Sequence, residues 1–205
     1  MPSNPYLINL PSHHAAHLDR QQTRQLICQS EQDASLVWLV AAVNRVWHWT
    51  QGHPYFTQLL CQIVWENAYA NSQASDTPYV YAQDVEDAVQ QLLTEQADLF
   101  EPVWTDLSRT EQVIIRAMAE IEERIITADQ LVDALQHSGV RLRLDELQLA
   151  PEQLVERNIL ALVNDTYRFR VPLWQHWIRA NHPQPPVKEE IARLNALPDQ
   201  LFQRG

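Results

Sequence analysis

Glycine is scarce in this chain, with only Gly52, Gly139 and Gly205 among 205 residues. A loop of the form G-x-x-x-x-G-K-[ST] therefore cannot be written anywhere in it, and with that loop goes the lysine that would grip a nucleotide phosphate. No paired acidic residues stand on a strand where Mg²⁺ would be held, because the only strands the pattern predicts form a hairpin around residue 165. The expectation is a chain that is not an enzyme on its own. Cysteine is equally rare. Cys28 and Cys61 sit inside apolar helical patterns with no C-x-x-C or Cys/His spacing, so they read as two buried free thiols in a reducing compartment. No apolar run approaches the roughly 20 residues needed to span a bilayer. The opening Met1-Pro2-Ser3-Asn4-Pro5 lacks the basic and apolar regions of a signal peptide, so the expected location is cytoplasmic. Positive charge is short as well: 15 Lys and Arg against 26 Asp and Glu leave a net charge of −11, with no concentrated basic patch to attract nucleic acid or an anionic membrane.

What remains is the composition of a folded chain. Hydrophobic residues make up 45% and charged residues 20%, and seven tryptophans demand burial. The length suits two small domains, each with its own core. Tyr6 to Leu10 is a short apolar run stopped by Pro11. His14 and His17 would share a helical face, but no cysteine or carboxylate is placed to complete a metal site, so they read as surface residues. Apolar spacing then predicts helices from Leu18 to Cys28, from about Ser35 to Gln51, from Pro54 to about Asn71 and from about Asp84 toward Phe100. The sharpest local signal is the corner Gln51-Gly52-His53-Pro54. Glycine accepts the left-handed backbone that follows a helix end, and proline suits the first turn of the next helix, so one tight turn joins two helices.

After residue 103 the punctuation changes. Ser108-Arg109-Thr110-Glu111 and Thr127-Ala128-Asp129-Gln130 are capping boxes that open two short helices. A third is expected to start at Pro151 and end near Asn158. Residues 159–163 and 167–171 flank Asn164-Asp165-Thr166, and the second run alternates apolar with basic residues, the period of a strand with one buried face. Three helices and a hairpin make a winged helix-turn-helix. The expected fold class is thus mainly α: a helical bundle over residues 1–103, a winged-helix domain over 104–180, and a proline-rich linker with a short amphipathic helix, Val187 to Leu197, over 181–205.

Three blocks together, Gly52-His53-Pro54-Tyr55-Phe56-Thr57-Gln58-Leu59-Leu60-Cys61, Leu107-Ser108-x-x-Glu111-Gln112 and Tyr167-Arg168-Phe169-Arg170-Val171-Pro172-Leu173-Trp174 with Trp177, resemble one family. Over about residues 6 to 180 the chain looks like the helical lid and winged-helix portion of prokaryotic STAND-type NTPases, AAA-related signalling ATPases. The resemblance implies nucleotide contact through Pro54, packed on adenine, with Gly52 shaping the turn. It also implies a phosphate contact at Arg170, where better-known members place a histidine. ADP or ATP with Mg²⁺ would be bound by a P-loop domain in cis or trans and not by this chain alone.

On this reading the chain is a regulatory lid whose partners are that P-loop domain and other proteins. The alternatives are a winged-helix transcriptional regulator that binds DNA through Arg168 and Arg170, and an interaction module with no ligand. The segment Pro151-Glu152-Gln153-Leu154-Val155-Glu156-Arg157, where a recognition helix would lie, has two acids to one base and speaks against DNA. The tryptophans read mostly as core, with Trp104 set apart because it falls between the two halves.

Overall fold

The computed structural model describes residues 16–32, 34–71, 77–137 and 144–183. The expected features at Tyr6–Leu10, His14, Gly139 and Val187–Leu197 lie outside these residues. The architecture is mainly α, a helical bundle followed by three helices and a hairpin in winged-helix order. The chain divides into two units. One takes residues up to Val103 together with Phe169–His176, and the other takes Trp104–Arg168 and the residues from Trp177 onward.

In the first unit α1 (Arg20–Ile27), α2 (Val40–Thr50), α3 (Pro54–Asn71) and α4 (Ala82–Glu95) pack on one another. Asp19 caps α1 through a reciprocal box with Gln22. The inward positions Ile27, Val46, Phe56, Leu60, Ile63, Val85, Val89 and Leu92 are at most 1% exposed, which is the burial their three- and four-residue spacing demands. Two short strands, β1 (Val37–Trp38) and β2 (Tyr79–Val80), pair in parallel with Val37 opposite Tyr79. This sheet corrects the expectation that α2 begins near Ser35 and that strands occur only in the hairpin. The run Leu36 to Val40 is apolar throughout, so its period does not separate strand from helix. Tertiary partners decide. Ser35 donates to the Ser30 carbonyl, the Trp38 indole N–H donates to Ser30 Oγ at 3.0 Å, and the backbone N–H of Leu39 donates to the Val80 carbonyl at 3.2 Å. The short helix α5 (Glu101–Thr105) follows.

The second unit contains α6 (Arg109–Glu120), α7 (Ala128–His137), α8 (Leu144–Glu156), and most of the hairpin β3 (Leu160–Val163) and β4 (Thr166–Phe169), before α9 (Pro172–Asn181). The hairpin turns through Asn164 and Asp165, both left-handed, the conformation that Asn and Asp tolerate best after glycine. Ile126 adds a third rung by exchanging two 2.8 Å backbone hydrogen bonds with Tyr167. Pro151 lies inside α8 rather than at its start. Its ring is buried beside Ala150 and Leu154, and that packing opposes the roughly 3 kcal/mol penalty of an interior proline. Among the described residues no helix is long and apolar enough to cross a membrane.

Candidate functional site

The corner expected at Gly52 is built from three layers of contact. Along the chain, Gln51 ends α2 in the left-handed region at φ 47°, and its backbone N–H donates to the Trp47 carbonyl at 2.9 Å. Gly52 continues the turn at φ 75°, and α3 begins at Pro54. Across the corner, Thr57 Oγ1 donates to Thr50 Oγ1 at 2.9 Å, and Thr50 in turn donates to the Val46 carbonyl, so the two helices are tied by buried hydroxyls. From outside, the segment before α1 closes over the turn. The backbone N–H of Leu18 donates to the Gly52 carbonyl at 2.8 Å, and His17 Nδ1 donates to the Gln51 carbonyl at 2.9 Å.

The close approach that Gly52 permits is therefore made by the chain itself. A Cβ on Gly52 would stand 2.1 Å from the Leu18 carbonyl oxygen and 3.0 Å from the Trp47 ring. Gly52 and His53 are buried, while Pro54 and Tyr55 keep part of their surface in solvent. The His17 ring meets the His53 ring edge-on at 5.2 Å. Its hydrogen bond to a carbonyl, which can only accept, assigns the proton to Nδ1 and leaves Nε2 as the acceptor.

Arg170 is the residue directly after β4 and is half-buried, and its charge reaches His17. The structure thus sets Gly52 and Pro54 in one corner and places Arg170 in the same unit, within electrostatic range of the histidine that braces that corner. His17 has its pKa lowered below 6.5, first by burial and also by Arg170, against the opposing effect of the Gln51 carbonyl. A base with a depressed folded-state pKa binds fewer protons folded than unfolded as pH falls through 6.5, so the folded state loses stability on acidification. The expected outcome is a fall in urea midpoint between pH 7.5 and 5.5 that is smaller in His17→Asn. An unchanged pH slope in that variant would remove His17 from the account.

Two groups of residues escaped the sequence reading. An aromatic ladder runs from His53 to Phe56 at 4.9 Å, from Phe56 to Phe100 stacked at 5.2 Å, and from Phe100 to Trp174 edge-on at 5.1 Å. Trp49 takes the edge of His176 at 4.6 Å while its indole N–H donates to Glu86 at 3.0 Å, and Glu86 also pairs with Arg45. Most of these side chains have a helical position that periodicity can assign, while His53 and Phe100 sit between helices, and no spacing rule says which distant ring each will meet. Trp104, set apart in the sequence, is 4% exposed inside the second unit. His182 stacks on it at 4.1 Å, and the Arg116 guanidinium lies 5.0 Å from its ring centre.

In the second unit the single base near the end of α8 is already engaged. Arg157 pairs with Asp106 at 2.7 Å and with the buried Glu111 at 3.0 Å, which raises its pKa chiefly through the hydrogen bond to Asp106. Glu111 also accepts from the backbone N–H of Ser108 at 2.7 Å, closing the capping box of α6. The C-terminal end of α6 is held by Arg179, whose Nε donates to the Ala119 carbonyl at 2.8 Å.

A Gly-x-Pro helical corner followed by a unit of winged-helix order describes the arrangement. Over 80% of its length the chain is similar to the Walker-type ATPase of Pyrococcus abyssi, with a TM-score of 0.58 and 13% identity. It spans 42% of that chain. No protein-family model and no curated protein matches the sequence. The chain shares its fold with part of that structure.

Proposed function

We propose that this chain acts as the lid and winged-helix portion of a STAND-type signalling ATPase. It closes over ADP or ATP held by a P-loop domain in cis or trans and couples the nucleotide state to domain arrangement. The observation that supports this reading is the braced corner, in which Pro54 presents a partly open ring at the start of an 18-residue helix while Arg170 lies within electrostatic range of His17. A proline ring offers a flat apolar surface to a base, and an arginine fork suits a phosphate. On this reading the chain has no hydrolytic activity by itself, and Mg²⁺ comes with the nucleotide.

The test is ADP affinity in the protein that unites this chain with its P-loop domain. Pro54→Ala and Arg170→Ala are each expected to weaken ADP by roughly 10-fold or more, the loss of about 1.5–3 kcal/mol typical of a hydrogen bond to a charged group for the arginine. Equal affinity in all three proteins would refute the ligand assignment. DNA binding is the less favoured reading. Glu152 and Glu156 are exposed on α8, and the neighbouring Arg157 is committed to two carboxylates, so this helix offers phosphates little attraction.

A further inference from the structure

The wing hairpin has one open backbone edge. Tyr167 commits both its N–H and its C=O to Ile126, so by the alternation of an antiparallel ladder Thr166 and Arg168 turn their backbone groups toward β3. The two-residue turn Asn164-Asp165 then sets Val163 opposite Thr166, Leu162 opposite Tyr167 and Ala161 opposite Arg168. The N–H and C=O of Leu162 therefore face away from β4, and among the described residues β3 has no other strand beside it. Natural edges are blunted by charge or proline, yet residues 159–163 contain neither. Leu162 is 50% exposed and Val163 44%.

A cation stands beside this edge. Side chains alternate along a strand, so Arg168 lies on the face opposite to the buried Phe169, in a row between Ala161 of β3 and the exposed Ile125. Arg168 is half-buried, its Nε is closed off from solvent with no hydrogen-bond partner, and among the described residues no carboxylate pairs with it. A guanidinium N–H shielded from water and left unmatched is stabilised by an incoming carboxylate. We infer that the outer edge of β3 takes an extended acidic segment of a partner protein, added antiparallel as a further strand. The partner residue opposite Leu162 exchanges two backbone hydrogen bonds with it. The residue after it, opposite Ala161, is a glutamate that pairs with Arg168, and the residue before it, opposite Val163, is β-branched and apolar. Ala161 is the position that makes this possible: the added strand lies two strand spacings, roughly 10 Å, from β4, and over a lone methyl group the glutamate and arginine side chains close that gap from both sides.

The inference stands apart from nucleotide binding and is tested on the full chain by fluorescence anisotropy with a labelled peptide, Thr-Val-Thr-Glu-Thr-Val. A Kd on the order of 10–100 μM is expected for an interface below the standard size. Arg168→Glu should weaken this peptide by about 10-fold or more, and should bind the peptide with lysine in place of glutamate about 10-fold better than the wild type does. Leu162→Pro, which removes the outward N–H, should weaken binding to a similar degree, whereas Leu162→Thr, which keeps it, should stay within about 2-fold of the wild type. The charge swap keeps the test independent of how well the hairpin tolerates proline. No saturable binding by roughly 1 mM, or a reversal at Arg168 that leaves the preference between the two peptides unaltered, would overturn the proposal. So would displacement of the peptide by duplex DNA at near-physiological salt, which would give this face to nucleic acid.

Discussion

Gly52→Ala is expected to destabilise the protein by about 2–3 kcal/mol, a sum of the left-handed penalty of about 1–2 kcal/mol and the displaced hydrogen bond of about 1 kcal/mol. Two independent facts make the residue irreplaceable. Its φ of 75° lies where a side chain is strained, and the space a Cβ would need is filled by the Leu18 carbonyl oxygen at 2.1 Å. That obstacle is backbone, so no rotamer change relieves it. Either Leu18 retreats, losing its 2.8 Å hydrogen bond to Gly52, or the corner opens. Urea unfolding followed by tryptophan fluorescence measures the loss. A cost below about 0.5 kcal/mol, the range of neutral surface changes, would mean that Leu18 does not sit on the corner in solution.

Phe100→Ala is expected to cost about 3–5 kcal/mol, the range for truncating a buried phenylalanine in a core that cannot collapse around the gap. Phe100 is fully buried between Phe56, stacked at an interplanar angle of 10°, and Trp174, which meets it edge-on. Aromatic geometry adds about 0.5–1.5 kcal/mol per pair beyond the area removed from water. The loss should also loosen the residues that follow β4, Arg170 among them, because Trp174 belongs to the same short stretch, Phe169–His176. Thermal unfolding gives the stability, and amide exchange over residues 169–176 gives the loosening. Phe100→Leu, which keeps most of the volume, should recover much of the first and little of the second. Unaltered exchange in Phe100→Ala would separate the ladder from Arg170.

The helices with strong period and clear ends were legible. Pro54 to Asn71 follows from a proline start and a regular stripe, and Ser108 with Glu111 marked the start of α6 because a capping box is a purely local bond pair. Legibility failed where the decisive partner is distant. Val37 and Trp38 become a strand only because Tyr79 and Val80 lie alongside, and Pro151 is absorbed into a helix because its ring has a core to enter. At the candidate site the turn residues Gly52 and Pro54 were visible, since backbone chemistry dictates them. The brace was not. His17 reaches the Gln51 carbonyl across 34 positions, and nothing in a lone histidine announces such a partner.

That same separation fixes an order of events. The hydroxyl pair Thr50–Thr57 spans seven residues and can form as soon as α2 and α3 meet. The bonds of His17 and Leu18 require a loop of more than thirty residues to close first, an entropic cost the short pair never meets. The corner is therefore expected to nucleate locally and latch late, with the segment before α1 setting how fast the finished fold comes apart rather than how fast it assembles, which unfolding and refolding rates of His17→Asn would read.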